Sequence, residues 1–220
     1  MDEAAREILP ENLHDGHGTL SHQCDGHRLG AHAVARDAAG GVGGLEKDRE
    51  VTPEVRRIRA DEGLQLRVMR LRALADTPTA FGSTLAQEEK FPERVWHERA
   101  EGGAVGADRV TFVAEQEGQW IGIATGLARD PDEPNDPPPM LVGMFVAPEA
   151  RRCGVGVSLV DAVVRWAHER RASSLSLWVT STNSPAIALY DKCGFQRTEE
   201  TKPVAHFPSL TEFRMVRDLR

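Results

Sequence analysis

Arg151-Arg152-Cys153-Gly154-Val155-Gly156 stands where an apolar run gives way to an amphipathic one. Gly154 and Gly156 carry no Cβ, so a bulky anion can come close to the backbone. Arg151 and Arg152 bring positive charge to the same turn. A helix beginning here would add unpaired N–H groups and the positive end of its dipole. The chemistry such residues support is the seating of a phosphate or pyrophosphate. Two common anion loops do not fit. No Gly-Lys-Ser/Thr follows the glycines, and Leu159 occupies the place of the third glycine in a dinucleotide fingerprint.

The flanking elements suit that reading. Leu141 to Ala147 is apolar and reads as a buried strand, which Pro148 stops because it offers no N–H to a ladder. Val157 to Arg170 reads as a helix with Val160, Val163, Val164 and Ala167 on one face. The unit is strand, glycine turn, helix.

The chain has 220 residues and a net charge of −7, a length enough for one α/β domain and a tail, or for two small domains. That charge argues against a nucleic-acid binder working through phosphate contacts. No apolar run reaches the roughly 18 residues of a membrane span, and the start lacks the basic and apolar regions of a secretory signal. Cys24, Cys153 and Cys193 are odd in number and scattered, which fits reduced thiols in a cytoplasm.

Residues 1–50 differ from the rest. Gly, Ala, His and Asp dominate, no apolar period is sustained, and the ordering entropy goes uncompensated. This extension is expected to be disordered or loosely attached, with one domain over residues 51–220. His14, His17, His22, His27 and His32 surround Cys24, but their spacing matches no closed zinc site, and a solvated tail is the plainer reading. The abrupt change at Val51 also fits a natural start there, with the upstream residues translated from a misplaced start codon. An intact mass that included Met1 would refute this.

From Val55 the pattern predicts a strand to Arg59, then a helix over Leu64 to Ala75 with Leu64, Val68, Leu71 and Ala75 facing inward. A second helix is expected from about Leu85 to Arg99, interrupted at Pro92, with Gly102 to Gly106 a flexible connection. Strands follow at Thr111 to Glu115 and Trp120 to Ala128, joined by a hairpin at Glu117-Gly118-Gln119. Asp130 to Pro139 is acidic and proline-rich, either a stiff tip or the entrance for a cationic substrate. Leu175, Leu177 and Val179 alternate within a strand at Ser174 to Thr180. Ser184 and Pro185 suit a helix start, Gly194 its stop. Phe195 to Thr201 and Thr211 to Val216 are the last strands, with Lys202 to Leu210 a loop between them.

Arg151-x-x-Gly154-x-Gly156 after an apolar strand resembles the acyl-coenzyme A loop of the GNAT superfamily of N-acetyltransferases. Asn183-x-x-Ala186-x-x-Leu189-Tyr190-x-x-x-Gly194-Phe195 is a second matching block, and the resemblance covers about Val55 to Arg220. It implies an α/β fold: a mixed, mostly antiparallel sheet flanked by helices, its central strands splayed to hold coenzyme A. It implies acetyl transfer from acetyl-CoA directly to an amine, with no acyl-enzyme and no metal. It also implies cofactor contacts from Phe145, Val146, Arg151, Arg152, Cys153, Gly154, Val155, Gly156, Val157, Ser158 and Asn183. A homodimer is left open.

Within that resemblance, the N–H of Val146 is the candidate oxyanion donor, placed by a local bulge. Tyr190, the chain's one tyrosine, falls where many relatives carry a general acid. It would be protonated at neutral pH. Asn183 has a plainer reading as a cap. Glu88, Glu89 and His206 lie in segments that border an acceptor site, and none is assigned as base. Cys153 and Cys193 read as packing residues. The rival readings are a catalytically silent coenzyme A sensor or interaction module, and a protein N-terminal acetyltransferase.

Overall fold

The computed structural model describes residues 53–130 and 137–220. The N-terminal extension, its histidine tract and Cys24, and Asp132, Glu133 and Asp136 of the acidic segment lie outside the described residues. The elements in chain order are β1 (Glu54–Arg57), α1 (Gly63–Asp76), α2 (Leu85–Glu88), α3 (Glu93–Val105), β2 (Arg109–Gln116), β3 (Gln119–Leu127), β4 (Met140–Val146), α4 (Val155–Glu169), β5 (Ser174–Thr180), α5 (Ser184–Lys192), β6 (Gln196–Val204) and β7 (Phe207–Asp218).

The strands form one seven-stranded sheet in the order β1-β2-β3-β4-β5-β7-β6. Every neighbouring pair is antiparallel except β4 and β5, which run parallel. This is the mixed, mostly antiparallel sheet that the resemblance implied. One apolar layer joins α4 to the sheet through Val160, Val163, Val164 and Ala167, packed with Leu175, Leu177 and Met215. A second, built from Leu66, Met69, Leu74, Trp96 and Ala100, sets α1 and α3 against Val113, Ile123 and Phe145. β2 and β3 turn at Glu117 and Gly118, whose φ angles of 52° and 76° are those of a two-residue type I′ hairpin.

Three expectations are corrected. The buried face of α1 is Leu66, Met69, Ala73 and Leu74, while Leu64 and Val68 are 49% and 69% exposed. Apolar residues ring this helix, so two inward faces satisfied the helical period, and packing against α3 selects between them. Second, the expected helix is two pieces: α2 already stops at Glu88, Pro92 is the N-cap of α3, and α3 runs on through Gly102 and Gly103 to Val105. A Cβ at Gly103 would lie 2.6 Å from Thr111 Oγ1, so the glycine serves close packing of α3 on β2. Third, the expected loop over Lys202 to Leu210 is mostly strand, turning only at Ala205-His206. Pro203 is tolerated because β6 is the edge strand, where a missing N–H breaks no inner ladder.

Candidate active site

β4 and β5 start side by side and then part. Their pairing is confined, among the described residues, to Met140↔Ser176, with the Ser176 amide donating to the Pro139 carbonyl at 2.9 Å. A cleft of about 650 Å³ opens beyond that point, lined by β4, the turn before α4, the far end of β5 and one side of α5.

Two features of β4 shape this opening. Opposite Ile123 and Thr125 of β3 stand Phe145 and Val142, so β4 holds one extra residue there. Gly143, with φ of 61°, supplies the left-handed residue such a bulge takes. Further on, the Ala147 amide donates to the Ile121 carbonyl at 2.9 Å. Val146 and Gly122 therefore form a non-hydrogen-bonded pair, and the N–H of Val146 points away from β3, toward the cleft. Phe145 turns its own backbone to Ile123 and contributes to the cleft wall.

The turn after β4 ends in a helix start without a side-chain cap. Gly154 is the N-cap of α4, with φ of 84°. The first intrahelical bond there runs from the Ser158 amide to the Gly154 carbonyl at 3.1 Å. The amides of Val155, Gly156 and Val157 are the orphans every helix start leaves. Arg152 also sits at positive φ, 66°, a conformation that costs a non-glycine residue about 1–2 kcal/mol. At Gly156 a Cβ would come within 3.0 Å of Leu189 Cδ2 and 3.5 Å of Met144 Cε, so the glycine keeps the cleft wall open.

α5 supplies the opposite wall. Its N-cap is Asn183, one residue earlier than the Ser184 expected, and the Asn183 side chain accepts from the Ala186 amide at 3.3 Å. At its C-terminus, Phe195 N donates to Tyr190 O and Gly194 N to Asp191 O, both at 3.0 Å. This is the Schellman pattern, with Gly194 at φ of 82°. The apolar contact that accompanies it is Tyr190 against Phe195, edge-on at 5.9 Å. Tyr190 is thus held by the helix ending itself, 7% exposed and facing the cleft. Burial, with the charge of the Cys193 thiolate adding, pushes its ionisation well above the ordinary tyrosine range.

Of the residues singled out in the sequence, Phe145, Val146, Arg151, Arg152, Gly154, Gly156, Val157, Asn183 and Tyr190 border this one cleft. The Val155 side chain is buried in the core. Cys153 is exposed rather than packed, whereas Cys193 is buried. Arg151 is exposed but engaged by its neighbours: its Nε donates to the Val146 carbonyl at 3.0 Å, and its terminal nitrogen pairs with Asp76.

The other candidates lie elsewhere in character. Glu88 is 1% exposed and accepts from Arg70 at 2.9 Å, from Arg99 at 3.0 Å and from Ser83. Burial alone would raise its pKa, but those donors outweigh it and hold the carboxyl below the usual range. Glu89 and His206 are exposed, the latter at the β6–β7 tip. Asp130 is 1% exposed and accepts from Trp178 Nε1 at 3.4 Å, so it is not on an entrance rim. Among the described residues no group of His, Cys, Asp or Glu side chains stands together as a metal site would. None of their helices is long and apolar enough to cross a membrane. Sequence reasoning missed Thr77, Ala80 and Trp178 as cleft residues. A glycine inside a strand, Gly143, was the available sign of the bulge.

The acetyltransferase (GNAT) family model matches residues 71–195. A mycothiol acetyltransferase of Acidothermus cellulolyticus is 27% identical over 135 residues, 57% of this chain and 38% of that protein. The curated relatives that this chain matches are spanned over 26–41% of their own lengths. Among solved structures, a ribosomal-protein-alanine N-acetyltransferase from Brucella melitensis superposes with a TM-score of 0.62 at 23% identity, over 75% of this chain and 99% of that one. A PaiA N-acetyltransferase of Thermoplasma acidophilum, solved in complex with coenzyme A, gives 0.60 at 15% identity, over 76% and 99%. These two share its fold.

Proposed function

The chain belongs to the acetyltransferase (GNAT) family, and from that membership and its cleft we propose that it moves an acetyl group from acetyl-coenzyme A directly to an amine. The observation that carries the reading is the parting of β4 and β5, with the Val146 N–H turned into the gap and an uncapped helix start at its end.

Each part of the donor has a matching surface. The pyrophosphate sits on the turn from Arg152 to Ser158, chiefly on the amides of Val155, Gly156 and Val157, where the helix dipole favours an anion. The pantetheine arm lies along the free edge of β4 like an added strand, beside Phe145 and Val146, with Asn183 on the facing wall. The acting unit is residues 51–220, in a cytoplasmic protein.

The reaction then needs charge stabilised at two atoms. The amine nitrogen bonds to the acetyl carbon and its proton passes to water. The carbonyl oxygen becomes an oxyanion facing the Val146 N–H, a preorganised donor worth about 3 kcal/mol. The C–S bond breaks, Tyr190 gives its proton to the departing thiolate, and the water that took the amine proton returns one to Tyr190. Its place on the cleft wall supports that role; burial keeps the phenol protonated but makes it a weaker acid, so the transfer must be completed as the thiolate leaves.

Calorimetric titration with acetyl-coenzyme A, followed by a panel of amines with thiol release as the signal, tests this directly. Saturable heat and amine-dependent thiol release are expected. Absence of any binding heat would refute the proposal.

A further inference from the structure

Arg151 was expected to lend its charge to the anion seat, but its contacts converge on the end of β4. Nε donates to the Val146 carbonyl at 3.0 Å, the guanidinium lies 5.8 Å from the Phe145 ring centre, and a terminal nitrogen is paired with Asp76. The peptide group between Val146 and Ala147 is therefore held on both sides: its N–H by the Ile121 carbonyl at 2.9 Å, its C=O by Arg151. Holding that plane restricts the rotation of Val146, and so limits the direction of the N–H one peptide unit back, the one belonging to Val146.

Asp76 is the last residue of α1. A carboxylate there faces the negative end of the helix dipole and is disfavoured on its own. Its partner on the loop offsets that. A second ion pair joins α1 to the same turn, Arg72 with Glu149 at 2.7 Å. It is exposed at both ends and grips only a side chain.

We propose that Asp76 is a positioning residue for acetyl transfer: it holds Arg151 on the Val146 carbonyl and thereby aims the Val146 N–H into the cleft. The inference rests on the transfer reaction proposed above. Arg151 serves the strand rather than the phosphate.

The test compares Asp76→Asn, Asp76→Glu and Arg72→Gln in the full chain. Asp76→Asn lowers kcat about tenfold, as small displacements of an aligned group do. Its Kd for acetyl-coenzyme A stays within about twofold, Asp76→Glu recovers part of the loss, and Arg72→Gln leaves kcat within about twofold. Independently of any activity, the Val146 amide resonance of 15N-valine-labelled protein moves in Asp76→Asn and not in Arg72→Gln. An unmoved Val146 amide overturns the inference. So does a loss confined to coenzyme affinity, or an equal loss of kcat in Arg72→Gln. A wild-type protein without binding heat refutes the transfer reaction instead, while the amide shift still reports on the Asp76–Arg151–Val146 linkage.

Discussion

Two regions of this molecule, the Glu88 cluster and the β4–α4 turn, handle polar groups in opposite ways. Around Glu88, beneath α1 and α3, a buried carboxylate meets Arg70, Arg99 and Ser83, and both oxygens are occupied. At the β4–α4 turn the polar groups are backbone amides, left without intrahelical or ladder partners by the bulge, the parting strands and the uncapped helix start. The first region has the buried, shifted carboxylate usually sought in an active site. The second has none, yet it is the one with unmet hydrogen-bonding capacity facing a cavity. A satisfied network specifies structure, whereas an unsatisfied one invites a ligand.

The largest expected effect comes from breaking the satisfied side. Glu88→Ala leaves two arginines beside an apolar layer and should cost about 3–5 kcal/mol of stability, read by denaturant unfolding. Acetyl-coenzyme A affinity, measured where the variant is folded, should not change. A loss of affinity at full stability would turn the comparison around. On the other side, Gly154→Val forces a β-branched residue to φ of 84° at the cap of α4. It should weaken acetyl-coenzyme A binding about a hundredfold by misplacing the amides that follow, with about 1–2 kcal/mol of stability lost. Calorimetry and thermal unfolding on the same preparation separate the two.

The same contrast explains what the sequence disclosed. α4 was readable because its apolar residues fall on a single stripe, and that stripe is the buried one: Val160, Val163, Val164 and Ala167. The glycine turn and the Gly194 stop were readable because left-handed backbone leaves few residue choices. α1 was misread because apolar residues surround it, and only α3 decides which of them are covered. The β6–β7 hairpin was misread because its prolines argue for a loop until Pro203 is known to lie on the edge strand and Pro208 beyond the β5 ladder. Asp76 was invisible for a different reason: its partner Arg151 is 75 positions away in the chain, and no local pattern links an ion pair over that separation.

Tyr190 is the next test, since it stands between the two behaviours, packed against Phe195 yet facing the cleft. Tyr190→Phe keeps the ring and the Schellman contact and removes only the proton. Turnover should fall about tenfold while coenzyme affinity and stability hold, because the acid acts only as the thiolate leaves. Equal turnover would return Tyr190 to the packing layer.

The smallest effect concerns pH, and it tests whether the two regions are independent. The Glu88 carboxyl is held below its ordinary value of 4.5 by its donors, against the pull of burial. Its contribution to stability is therefore complete above pH about 4.5 and disappears as pH falls through the lowered folded-state value. Wild type should lose stability more steeply than Glu88→Gln in that acid window, and the two curves should run parallel at neutral pH. Acetyl-coenzyme A affinity should show no difference between wild type and Glu88→Gln over the same range, because its proposed seat is made of amides that do not titrate. A Glu88-dependent change in coenzyme binding would mean that protonation beneath α1 reaches the cleft. The Asp76–Arg151 link, which joins the end of α1 to the end of β4, would then be the route to examine.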